Sequence, residues 1–85
     1  QYHAFKNLLH LQMALLKDKH DDWDGAHQIA QKDTTYVGSW LHAYLHRKEG
    51  DDFNARYWYN RAGRSFSKKS LKDEWNELAR YLLDR

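Results

Sequence analysis

Apolar residues recur at intervals of three and four along nearly the whole chain, and no stretch alternates apolar with polar residues as a half-buried strand does. The pattern therefore predicts helices and no sheet. A first helix, from about His3 to Lys17, carries Phe5, Leu8, Leu9, Leu11, Met13, Leu15 and Leu16, a face so broad that it calls for cover on two sides and a central position. A short second helix, Trp23 to Gln31, aligns Trp23, Ala26, Ile29 and Ala30 and has Asp21 or Asp22 to cap it. Residues 32–35 are polar and break the pattern. A third helix from Tyr36 to Glu49 places Val37, Trp40, Leu41, Tyr44 and Leu45 on one face; Gly50 then supplies a left-handed closure, and Asp51 or Asp52 caps the next helix at once. The fourth, Phe53 to Ala62, aligns Ala55, Trp58, Tyr59 and Ala62 and stops at Gly63. After a polar loop, Ser70 with Asp73 opens a last helix striped by Leu71, Trp75, Leu78, Ala79 and Leu82. The expected architecture is all-α, with two antiparallel helical hairpins and a capping C-terminal helix, five helices in a single domain over residues 1–85.

Length changes this picture by making the core scarce. A chain of 85 residues buries only a modest surplus of apolar surface, and with no Cys it has neither disulfides nor thiolate-bound zinc to compensate. Four Trp, six Tyr and three Phe are the compensation, since each ring buries a large area. The absence of Cys fits a reducing compartment, no apolar run reaches membrane-spanning length, and a cytoplasmic protein is the expectation. Gln1 in place of Met is expected of a chain that begins inside a longer one or after processing.

Charge is nearly balanced, 14 basic against 12 acidic side chains, which argues against a dedicated nucleic-acid binder. The local exception is residues 56–72, where Arg56, Arg61, Arg64, Lys68, Lys69 and Lys72 occur with no acid between them. With Tyr57 to stack on bases, this segment carries an alternative reading as a single-stranded nucleic-acid surface.

The two hairpin turns repeat one another. Asp21-Asp22-Trp23-Asp24-Gly25-Ala26 and Gly50-Asp51-Asp52-Phe53-Asn54-Ala55 share an acidic turn, an aromatic residue, a polar pair and an Ala, 29 positions apart. Together with Ala43 and Ala62, the later unit resembles a tetratricopeptide-like helical hairpin, although such repeats recur at about 34 residues. The block from Trp40 to Asp51, with Tyr57-Trp58-Tyr59 and Arg61-Ala62-Gly63-Arg64, is also similar to a family of short bacterial proteins of unknown function. The tetratricopeptide resemblance implies a protein-interaction module, whose inner face would belong to the third helix. Trp40, Tyr44, Arg47 and Lys48 would then form an aromatic floor with a cationic rim, suited to a protein segment or acidic peptide. Two hairpins are fewer than a repeat stack usually needs, so a homodimer is a natural way to cover an apolar end.

Six His supply the other candidate chemistry. His42 and His46 stand four apart on one helix face, a spacing that offers two imidazoles to one metal ion, with His27 or Glu49 as a third ligand. The favoured reading of the pair is nevertheless structural, with hydrogen bonds to carboxylates at the hairpin junction or packing as amphipathic side chains, and the metal site is the alternative. No Cys nucleophile, phosphate loop or GxSxG elbow is present, so a small His-based enzyme stays only as an alternative beside the metal-binding reading, and no cofactor is implied.

Overall fold

The computed structural model describes the backbone of residues 2–83 and the side chains of residues 9–83. It contains α1 (Tyr2–Lys19), α2 (Trp23–Gln31), α3 (Tyr36–Glu49), α4 (Asp52–Arg61) and α5 (Leu71–Leu83), with no strand among the described residues. The fold is all-helical: α1 packs on α2, α3 on α4, and α5 closes the stack against α1 and α3. Phe5 and Leu8, expected on the apolar face of the first helix, lie outside the described side chains.

Local chemistry explains the helix limits. Asp22 and Asp51 cap α2 and α4, each accepting the backbone N–H three residues on, Gly25 at 2.9 Å and Asn54 at 3.2 Å. Thr35 caps α3 through Gly38 N–H at 3.1 Å, and Ser70 Oγ accepts Asp73 N–H at 3.0 Å where α5 begins. Gly50, at φ 89°, returns its N–H to Arg47 and so closes α3 in the left-handed conformation an L side chain resists.

The centre of the domain is α3 and not α1. Among the described residues it alone touches all four other helices, and every residue from Gly38 to Leu45 is buried. Helix α1 instead buries Leu11, Ala14 and Leu15 and turns Leu9, Met13 and Leu16 outward, each about half exposed. Of its apolar residues with described side chains, those on one side are covered and those on the other are not. Small residues set how closely the helices approach: Ala26 and Ala30 of α2, Ala43 of α3 and Ala55 of α4 are fully buried.

The tightest approach to a backbone atom lies where the turn before α3 meets its first turn. A Cβ on Gly38 would come within 2.5 Å of the Asp33 carbonyl oxygen, a backbone atom that cannot swing away. Replacing Gly by Ala inside a helix ordinarily gains about 1 kcal/mol. Here overpacking costs about 1–3 kcal/mol, so Gly38→Ala is expected to destabilise the domain, seen as a lower urea midpoint with an unchanged slope. A higher midpoint would show that the Asp33 turn yields.

Candidate metal centre

The face of α3 expected to receive an acidic peptide is covered from within the chain. Trp40 and Tyr44 are 3% and 2% exposed. Arg47 forks onto Glu74 of α5, its Nε and Nη2 lying 3.1 and 2.9 Å from Oε1. Trp40 Nε1–H donates to the other Glu74 oxygen at 3.0 Å, and the Tyr59 hydroxyl reaches the same carboxylate at 2.7–2.8 Å. At the other end of the face Lys48 Nζ and the Tyr44 hydroxyl meet Asp18 of α1 at 2.9 and 3.1 Å. Burial and these carboxylates push the Tyr44 and Tyr59 phenols well above their ordinary range. The aromatic floor and cationic rim do bind carboxylates, those of Asp18 and Glu74.

The basic segment is partly spent in the same way. Arg64 lies over the Trp40 ring, 3.6 Å from its centroid, and both Arg64 and Lys69 pair with Glu77. Tyr57 is about half exposed with Arg61 over its ring.

The imidazoles converge. His42 and His46 project from one face of α3, and the close packing allowed by Ala26 and Ala30 brings His27 of α2 against them. Trp23 pins that approach by donating its indole N–H to the Leu45 carbonyl at 2.8 Å. The Nε2 atoms of His27 and His42 lie 3.0 Å apart, and one ligand atom from each of the three His falls within 4.8 Å of the others. His46 Nδ1 is 3.0 Å from Glu49 Oε1. Two indoles bracket the cluster: Trp23 stacks on His27 at 4.7 Å, and Trp58 of α4 stacks on His42 at 4.0 Å.

No family model, curated protein or solved structure matches this chain.

Chemistry must therefore be read from the cluster itself. Burial, followed by the neighbouring His27 and His46, drives the His42 imidazole down to about 3, so it is neutral at pH 7. His27 is lowered by the same causes, burial and then His46, with Glu49 and Asp24 opposing. Neutral imidazole is the ligating form, so the lowered His27 and His42 need not lose a proton from a charged ring before an ion binds. Metal–nitrogen bonds of about 2.0–2.1 Å set neighbouring ligand nitrogens roughly 3.0–3.4 Å apart. The His27–His42 pair already meets that spacing, and a ligand nitrogen of His46 lies within 4.8 Å of both.

His42 and His46 were legible from spacing; the bracketing by Trp23 and Trp58 was not, because both fell on apolar stripes and read as core. Asp18 and Glu74 were also missed. Their signal was positional: Asp18 follows Leu11, Ala14 and Leu15, and Glu74 sits between Leu71 and Leu78, each at a buried helical register.

Proposed function

We propose that the protein binds a single transition-metal ion through His27, His42 and His46. The observation that carries this reading is the 3.0 Å approach of two imidazole Nε2 atoms in a pocket of rings that are kept neutral, with a third imidazole in reach. An all-nitrogen donor set suits zinc, nickel, cobalt or copper(II), and discriminates against calcium and magnesium, which take oxygen ligands. The ion would join α2 to α3 at a contact otherwise made by edge-to-face rings, the His27–His42 hydrogen bond and that of Trp23 to the Leu45 carbonyl. A peptide-binding role for α3 has less support, because the carboxylates that its cations would capture are supplied by Asp18 and Glu74.

Titration of the metal-free protein with zinc, followed calorimetrically, is expected to give one ion per chain, and nickel or copper(II) should quench the emission of Trp23 and Trp58. At about 100 times Kd the ion adds about 2.7 kcal/mol to stability, and a chelator should remove that gain. His27→Gln, at a half-buried position, is expected to weaken binding at least tenfold while leaving the helical fold in place. Absence of saturable zinc uptake by the wild-type protein would end this reading.

A further inference from the structure

His46 differs from its helix neighbour His42 in what surrounds Nδ1. His42 Nδ1 is buried with no hydrogen-bond partner. His46 Nδ1, by contrast, faces Glu49 Oε1 across 3.0 Å, one turn further along α3. We propose that Glu49 is the positioning residue of the imidazole cluster: it accepts Nδ1–H from His46 and so fixes the tautomer in which Nε2 keeps its lone pair for the ion.

The inference rests on the metal reading and adds to it the residue that orients and strengthens one ligand. A neutral imidazole carries one N–H and one lone pair, and the hydrogen bond made by one nitrogen decides what the other can do. Free histidine favours the proton on Nε2, which would turn a donor, and not a lone pair, toward an ion ligated there. A carboxylate against Nδ1 reverses that preference and makes Nε2 a better base, the same carboxylate–histidine arrangement that supports metal-ligating histidines generally.

Glu49 is suited to this by its place in the chain. It occupies the last turn of α3 before Gly50 reverses the backbone, so its side chain lies back along the helix toward His46. Asp51 also comes within reach of His46 and Glu49, but its two oxygens are engaged: Oδ1 accepts Asn54 N–H at 3.2 Å and Oδ2 accepts the Asn54 side-chain amide at 2.6 Å. Asp51 thus caps α4 and leaves Glu49 as the carboxylate for His46. Glu49 is also substantially exposed, so it can be replaced without opening the core.

Two readouts test the assignment. In metal-free wild-type protein near pH 8, long-range proton–nitrogen correlation should show His46 protonated on Nδ1, and Glu49→Ala should move that proton to Nε2. The same variant should bind zinc about 10–100-fold more weakly. Glu49→Gln keeps an acceptor oxygen without its charge, and should retain the Nδ1–H tautomer with an affinity between the two. A wild-type His46 protonated on Nε2, or a Glu49→Ala protein that binds zinc as tightly as wild type, would overturn the proposal and leave the metal site standing. Failure of the wild-type protein to bind zinc would overturn both.

Discussion

Replacing Glu74 by Leu is expected to cost about 3–5 kcal/mol, the range for removing one partner of a buried ion pair. Glu74 is 1% exposed and is the common acceptor for Trp40, Arg47 and Tyr59, groups contributed by two helices other than its own. Leucine fills a similar space but strands a guanidinium, an indole N–H and a phenol in the interior. A domain of this size loses about 4–8 °C of midpoint per kcal/mol, so the variant should melt well over 10 °C below wild type or fail to fold. The paired substitution Arg47→Met with Glu74→Leu removes both charges, and it should be clearly more stable than Glu74→Leu alone. Equal destabilisation of the single and double variants would show that packing of the Glu74 stem, and not its charge, matters.

Acid should destabilise the metal-free protein from near neutrality, well above the range where carboxylates titrate. His42 in the unfolded chain takes up a proton as pH falls through about 6.5, whereas in the folded protein burial among rings holds it neutral down to about 3. Between those values the unfolded state binds more protons, so stability falls as pH falls, at up to about 1.4 kcal/mol per pH unit. Below the folded value the loss levels off. Lowering the pH from 7 to 5 should thus cost about 2 kcal/mol from His42, and His27, shifted in the same direction, adds to it. Urea unfolding at a series of pH values measures the slope. His42→Phe, which keeps a ring against Trp58, should flatten it; a variant as acid-sensitive as wild type would assign the effect elsewhere.

The helices were readable because their ends carry local chemistry. The expected limits of α2 and α3 coincide with those observed, and α4 is shifted by one residue, since Asp22, Thr35 and Asp51 act over three residues and depend on nothing distant. The assignment of faces was less readable. A stripe of apolar residues states that a helix is buried on one side without stating how many neighbours it has, which is why α1 looked central when α3 is. Arg47 and Lys48 looked like surface residues because long cationic side chains usually are. Asp18 lies 30 positions from Lys48 and Glu74 27 positions from Arg47, and only the packing of α1 and α5 onto α3 brings each pair together. Of the imidazole cluster, the α3 pair was visible in the spacing, and the approach of His27 awaited the close packing of α2.

The carboxylate on α5 also bears on how the chain comes apart. A helix at the edge of a stack commonly opens alone, at low cost, as a local excursion from the native state. Helix α5 is held differently: Gln12 donates to the Leu82 carbonyl at 2.8 Å and Trp75 to the Leu15 carbonyl at 3.3 Å, while Glu74 satisfies groups on both α3 and α4. Detaching α5 withdraws all of these at once and leaves Arg47 without its counter-charge. Detachment of α5 is thereby tied to disruption of the interior on α3 and α4, and amide exchange in α5 is expected to be as slow as in α3.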